Sequence, residues 1–313
     1  MNQPFRQLSF EALPARPSRA HSFLELETKS VEVRSEHFGA VTIRYREYGS
    51  GDPLLLVHGL MTSGYSFRYL IEPLGQRYRL IVPDLVGCGE SDKPDVGYTA
   101  PALARFIGEL MHALGLRGCD VVGNSLGGYL CMQLALADAG ALDRLVNIHS
   151  PGVPMTRLYA LRAGLAMPGT RAVLDWVIAR DPERWAHRHV HYYDETVKSR
   201  EEAGVYGAPL ATVEGRRAFI HYLADALDPG EMRAFVQKLS RAPFPVPMLL
   251  LFAERDPMVP PRVGEALSKL AGGSELAWLE HCSHFMHVDR PEACADAIAR
   301  FLERQRAPVS EAI

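Results

Sequence analysis

A single serine sits among glycines in "GNSLGG" (123–128), between two apolar runs, "CDVV" and "YLCMQLALA". A serine hydroxyl becomes a useful nucleophile only when a histidine takes its proton and a carboxylate fixes that histidine's tautomer. Both partner types occur downstream. "LLLFAERDPMVP" sets Asp256 just beyond a continuous apolar run, and "LEHCSHFMHVDRPE" places His281, His284 and His287 shortly after another. The chain order Ser, Asp, His, with the serine in G-x-S-x-G, is that of a nucleophile elbow, in which a strand enters a helix through a tight turn that exposes the central side chain. Gly123 and Gly127 remove Cβ atoms that such a turn would crowd, and Gly128 lets the helix pass close to the neighbouring strands. The start of that helix also brings free N–H groups and the positive dipole end beside Ser125. Taken alone, the motif is equally a serine capping a helix whose glycines serve packing. The downstream partners tip the balance.

Those side chains need a scaffold that exposes them along one edge. "SVEVRSEHF" and "AVTIRYREYG" alternate apolar and polar residues at period two around a Phe-Gly, which predicts an antiparallel pair. Six short continuous apolar runs follow at 53–59, 78–84, 119–124, 144–150, 246–254 and 274–280, mostly separated by segments of helical period such as "APALARFIGELMHALG". Strands buried on both faces and alternating with helices predict a mostly parallel sheet of eight strands flanked by helices, an α/β class fold. From Pro151 to about Pro243 no strand pattern occurs. Asp181-Pro182 and Asp228-Pro229 read as helix starts in this interval, a capping carboxylate followed by a residue that needs no N–H. The organisation expected is an N-terminal extension at 1–29, a core at 30–151 and 244–306, an inserted helical lid at 152–243, and a tail at 307–313.

Composition excludes several function classes. A net charge of −3 over 313 residues gives no nucleic-acid footprint. No apolar stretch approaches the roughly 20 residues that span a bilayer. Five cysteines without CxxC or His-interleaved spacing suit reduced thiols in a cytoplasmic setting. The first thirty residues hold no continuous apolar signal core and read as a surface extension, although their Arg and Ser content faintly resembles a transit peptide. His187 and His191 stand four apart, as on one helix face, but no third ligand beyond Glu183 accompanies them, so no metal site is expected there. Trp176, Trp185, Tyr192, Tyr193, Phe219 and Tyr222 suit either a substrate pocket or the lid's own core, and none is assigned individually.

Over residues 30–306 the chain resembles the α/β-hydrolase superfamily. "VHGL" is similar to its oxyanion-loop segment, "VVGNSLGG" to its nucleophile elbow, and "PDLVGCGESDKP" to the loop after its fourth strand, with Val86 where proline or arginine is common. "CSHFMHVDRPE" is similar to its histidine loop, in which Pro and Glu open the last helix seven and eight residues after the histidine. Pro291 and Glu292 stand so to His284, which the resemblance therefore implies as the base; His281 and His287 become loop or surface residues. The acid position matches Asp256 rather than Glu254 or Asp289. Cys282-Ser283 replaces the glycine often found before the histidine. The backbone N–H groups of Leu126 and Leu60, with Met61 as fallback, are implied as the oxyanion donors. His58 is expected to brace its loop rather than act as a base.

The resemblance implies a serine hydrolase cleaving a carboxylic ester of a small to medium apolar substrate through an acyl-enzyme, with neither metal nor organic cofactor. Haloalkane dehalogenases and epoxide hydrolases share the "DKP" loop and lid but use an aspartate at the elbow. Attack by a serine on their substrates would leave a stable ether, so Ser125 argues against both. Carbon–carbon bond hydrolases of diketone-type substrates are the alternative, lowered by "HGLMTSG", which lacks their Gly-rich, proline-containing segment. A non-catalytic ligand-binding member of the fold is the remaining class.

Overall fold

The computed structural model describes residues 4–304; the expected tail at 307–313 lies outside them. Strands form where the chain runs apolar between turn residues: β1 (Lys29–Ser35), β2 (Gly39–Tyr48), β3 (Asp52–Val57), β4 (Tyr78–Pro83), β5 (Cys119–Asn124), β6 (Leu142–Ile148), β7 (Met248–Ala253) and β8 (Glu275–Leu279). They make one eight-stranded sheet in the order β1-β2-β4-β3-β5-β6-β7-β8. β1 with β2 and β2 with β4 are antiparallel, and the remaining pairs are parallel. Core helices α1 (Ile71–Gly75), α2 (Ala100–Ala113) and α3 (Leu126–Ala137) supply the crossovers up to β6. Between β6 and β7 the chain builds α4 (Thr156–Ala166), α5 (Thr170–Arg180), α6 (Pro182–His189), α7 (Arg200–Leu210), α8 (Val213–His221) and α9 (Pro229–Leu239). It then returns through α10 (Arg262–Leu270), α11 (Met286–Asp289) and α12 (Pro291–Arg304).

The period of two along each central strand divides its side chains between two hydrophobic layers. Leu55 and Val57 of β3 and Val121 of β5 pack under α2 and α3, whereas Leu54, Leu56 and Val122 pack against the α1 and α12 side. All six are fully buried, and each is worth about 1.5–3 kcal/mol relative to exposure. This two-sided burial is why the strands read as unbroken apolar runs.

The chain leaves β3 to one side to form β4 and returns to the other side of β3 as β5. The carboxyl ends of β3 and β5 therefore border a switch in winding direction, where an open α/β sheet has its natural crevice. Gly59 follows β3 there and Ser125 follows β5. Of the five non-glycine residues with left-handed backbone among the described residues, all but Phe5 gather on the same edge: Met61 after β3, Ser125 after β5, His149 after β6 and His281 after β8, with φ between 51° and 61°. Strain of this kind concentrates where side chains must be aimed.

Two expectations, on the His187–His191 pair and on His287, are corrected. α6 ends at His189, so His187 and His191 do not share a helix face; His187 Nε2 meets the Leu8 carbonyl oxygen at 2.9 Å instead. Over its described residues the N-terminal extension runs along the surface and is anchored at a few points. Leu13 and Phe23 are buried, and the backbone N–H groups of Arg200 and Glu201 donate to Pro14 and Ala15, which straps α7 to the segment. Asp181 and Asp228 do cap α6 and α9, accepting from Arg184 and from Gly230 and Glu231.

His287, expected in a loop or at the surface, is fully buried on α11 with its ring centroid 5.1 Å from that of Phe67. Neither ring nitrogen has a hydrogen-bond partner, and burial pushes its pKa down to about 3. The unfolded chain takes up a proton near 6.5 that the folded state refuses until about 3, so this site costs stability as pH falls through that window. His287→Phe is expected to flatten the acid loss of stability between about pH 6 and 4 by about 1.4 kcal/mol per unit, measured by urea unfolding across pH. A Cβ on Gly127 would stand 2.3 Å from the Val57 carbonyl oxygen, whereas one on Gly164, inside α4, meets nothing within 4 Å. Gly127→Ala should therefore lose about 2–3 kcal/mol in the same assay, and Gly164→Ala should gain about 0.5–1 kcal/mol.

Candidate active site

Ser125 is the residue between β5 and α3, with φ 54° and ψ −122°. Its N–H donates to the Ile148 carbonyl oxygen at 2.8 Å, which anchors the turn to the end of β6. The glycines around it are sterically required. A Cβ on Gly123 would lie 2.6 Å from the Gly128 backbone, and one on Gly128 would lie 2.7 Å from Asn147 Oδ1. Gly59 packs so closely that its Cβ would sit 3.0 Å from that of Ser125. Leu126 opens α3, so its N–H has no acceptor within the helix.

The loop after β3 is braced by polar side chains beneath it. His58 is fully buried; its Nδ1 lies 2.8 Å from the Gly59 oxygen, and its Nε2 accepts the Leu85 N–H at 3.0 Å. That acceptor role leaves the proton on Nδ1, and burial lowers the pKa so the ring stays neutral. Thr62 Oγ1 also donates to the Gly59 oxygen, at 3.0 Å. Because the Gly59–Leu60 peptide is planar and trans, holding its oxygen on these two donors turns the Leu60 N–H the opposite way. His58 is thus a loop brace with no free nitrogen.

Asp256 follows β7 and His284 follows β8, and the fold brings them together across 28 residues: His284 Nδ1 lies 2.6 Å from Asp256 Oδ2. The other carboxylate oxygen, Oδ1, accepts the N–H groups of Met258 at 2.5 Å and Val259 at 3.1 Å. Burial alone would raise this carboxyl, but the adjacent imidazoles of His284 and His149 outweigh it and hold Asp256 well below the usual carboxylate range. With Nδ1 engaged, Nε2 is the His284 nitrogen left for the cavity. Asn124 Nδ2 donates to the His284 carbonyl oxygen at 3.2 Å, tying the elbow to the histidine loop.

Ser125, His284, Leu60, Met61 and Leu126 all border one cavity of about 360 Å3 between the sheet edge and the helices inserted after β6. Its wall is mostly apolar, with Leu158 and Leu161 from α4, Leu174 from α5, Trp185 from α6 and Phe219 from α8. Among the described residues, Arg157 is the only lysine, arginine or acidic side chain lining it. Of the other lid aromatics, Trp176 is exposed, Tyr222 donates to the Val86 oxygen and Tyr192 donates to Glu202. Glu254 is exposed, and His281 contacts Tyr193 at the surface. Asp289 is half-buried, accepting from Ser283 N–H and Oγ–H and from Tyr193 N–H, and desolvation of its carboxyl raises it to about 7.

Two residues at this site were not singled out from the sequence. Asn124 stood inside the quoted motif, but its bond to the histidine loop joins residues 160 apart. His149 ends the apolar run "RLVNIHS", and its Nδ1 lies 3.0 Å from the Asp256 oxygen that His284 uses. A histidine at the carboxyl end of a buried strand was the available signal.

Comparison with known proteins agrees with the architecture. The chain is 27% identical over 298 residues to the 2-hydroxy-6-oxo-6-(2'-aminophenyl)hexa-2,4-dienoic acid hydrolase of Metapseudomonas resinovorans, covering 92% of this chain and 97% of that protein. The fold matches a structure of the epoxide hydrolase CorEH without ligand at a TM-score of 0.76 and 21% identity, covering 90% of this chain and all of that one. It also matches a thermophilic esterase from Thermogutta terrifontis at 0.65 and 23%, covering 88% and 98%. No helix among the described residues is long and apolar enough to cross a membrane. The model of the alpha/beta hydrolase family matches residues 54–297, from the first parallel strand to the last helix, and the chain belongs to that family.

Proposed function

We propose that this protein is a serine hydrolase that cleaves a carboxylic ester of a small to medium, largely apolar substrate, with Ser125 as nucleophile, His284 as general base and Asp256 as the residue that orients it. The observation that carries the reading is that Ser125, on its strained turn, and the His284 already bonded to Asp256 border one apolar cavity. Ser125 Oγ attacks the carbonyl carbon as its proton passes to His284 Nε2. The resulting oxyanion lies on the N–H groups of Leu126 and Leu60, each such donor being worth about 10²–10³ in kcat. Collapse expels the alkoxide, which takes the proton from His284. A water, deprotonated by the same nitrogen, then attacks the acyl-serine and releases the acid. Every proton moves through one imidazole, and no metal or organic cofactor is required.

A second reading is hydrolysis of a carbon–carbon bond next to a carbonyl. It is favoured by the relative named for a hexadienoic acid substrate and by Arg157, the one permanently charged side chain on the cavity wall, which suits a carboxylate. The same serine and base would serve, with the departing carbon taking the proton in place of the alkoxide.

A fluorophosphonate probe is expected to form one adduct per chain on Ser125, read by intact mass, and Ser125→Ala should abolish it. A wild-type protein that neither labels nor turns over any activated ester would end the proposal. His284→Ala should lower kcat by about 10⁴-fold or more with an unchanged circular dichroism spectrum. Retained turnover would assign the base elsewhere. Nitrophenyl esters of graded chain length, assayed beside a vinylogous diketone acid, decide which bond is preferred.

A further inference from the structure

Asp256 carries a second histidine that the reaction above does not use. His149 directly follows β6, is completely buried, and holds a left-handed backbone with φ 51°. Its N–H donates to the Leu251 oxygen of β7 at 3.0 Å, and its Nε2 accepts the N–H of Ala253, the last residue of that strand. A nitrogen that accepts a backbone N–H carries no proton, so the neutral ring is held as the Nδ1–H tautomer. That Nδ1 lies 3.0 Å from Asp256 Oδ2, with its N–H turned too far off line to make a hydrogen bond, while His284 Nδ1 is hydrogen-bonded to the same oxygen at 2.6 Å. The two imidazole centroids are 5.7 Å apart, and Phe252 backs the His149 ring at 4.6 Å.

We propose that His149 is a positioning residue: the positive end of its Nδ1–H dipole lies against the Asp256 oxygen that His284 bonds, offsets part of the charge there, and so weakens the hold of that carboxylate on a protonated His284. An undiluted carboxylate stabilises the protonated imidazole more strongly, so loss of the His149 dipole moves the acidic limb of the Ser125 reaction to higher pH. His149 itself does not titrate with its partner, because protonation at Nε2 would set it against the Ala253 N–H inside the core. Burial likewise disfavours its charged form. The other titratable groups facing the pair are Arg157 of α4, whose charge reaches Asp256, His189 of α6 across the cavity, and Cys282 and His287 of the histidine loop. Burial lowers His189, raises Cys282 to about 12 and lowers His287 to about 3. Arg157 stays charged, and its contribution is common to wild type and variants.

Two substitutions separate the two nitrogens. Asparagine carries its amide where Nδ1 stood and tolerates left-handed backbone, so His149→Asn keeps a donor to Asp256 and gives up the Ala253 acceptor. Glutamine carries its amide where Nε2 stood, so His149→Gln keeps the Ala253 acceptor and gives up the donor. The readout is the rate of fluorophosphonate labelling of Ser125 from pH 4 to 9, which needs no natural substrate. The acidic limb of His149→Gln should move up by about one unit, about a tenfold slower reaction below the limb, while His149→Asn keeps the wild-type limb. A Gln limb that stays in place, or equal shifts in both variants, overturns the inference. Should neither variant fold, the ¹⁵N imidazole spectrum of the wild-type protein decides: a neutral Nδ1–H ring for His149 from pH 5 to 9 supports it, and an Nε2–H or protonated ring overturns it. The inference rests on the roles of Ser125 and His284 proposed above. A wild-type protein that does not label counts against those roles, whereas labelling with an unmoved limb counts against His149 alone.

Discussion

The buried carboxylate of Asp256 collects the ends of three strands. It stands after β7, takes the Nδ1 of His284 from beyond β8, and lies against His149 at the end of β6. Its second oxygen is occupied by two backbone N–H groups of its own loop. An ionised carboxylate in a dry interior is tolerated only when its oxygens are met in this way. Satisfying the charge therefore dictates the loop geometry: every group that reaches Asp256 is fixed in direction by doing so. His284 is aimed because one of its nitrogens has a place to be, which leaves the other free.

The serine side of the site is fixed by close packing rather than by charge. Gly59, Gly123, Gly127 and Gly128 lie where the chain closes on the elbow; a Cβ at any of the last three would overlap a neighbour, and one at Gly59 would press on the Ser125 Cβ. The loop after β3 adds directional control, since His58 and Thr62 together hold one carbonyl oxygen and so orient the following N–H. Electrostatics on one side and steric exclusion on the other meet at Asn124, whose amide bonds the histidine loop. The crevice they enclose falls where the winding of the sheet reverses, which is why the fold needs no special device to open it.

Above the sheet, the inserted helices are held by buried charge and by the N-terminal strap. Arg68 pairs with Glu202 of α7 at 2.6 Å with both side chains buried, and Lys198 pairs with Glu195 at 2.6 Å just before that helix. The Arg68 guanidinium lies 4.5 Å from the ring centroids of both Tyr65 and Tyr69. Buried pairs add little net stability but cost about 3–5 kcal/mol to break on one side, so they set where α7 sits more than how tightly it binds. The opposite end, α4 and α5, lines the cavity with Leu158, Leu161 and Leu174 and leaves Val173 and Trp176 exposed outside. This apolar end of the inserted helices faces the cavity that Ser125 and His284 border.

The eight strands, their parallel core and the helical interval after β6 were legible in the sequence, because burial on both faces writes unbroken apolar runs and surface helices write a longer period. The elbow was legible for a related reason: only glycine permits such close approach, so the steric demand is recorded in residue type. The nomination of His284 over His281 and His287 came from family spacing, since local pattern treats the three alike; the fold separates them, with His281 at the surface and His287 sealed in the core. The strap, the Asn124 bond and the approach of His149 to Asp256 left little local trace. Each joins residues about 100 or more positions apart through one or two contacts, and contacts of that kind leave no repeat, run or motif in the chain. Local sequence could record what each segment must bury and how closely it must pack, but which polar atoms then meet was decided only by the tertiary structure.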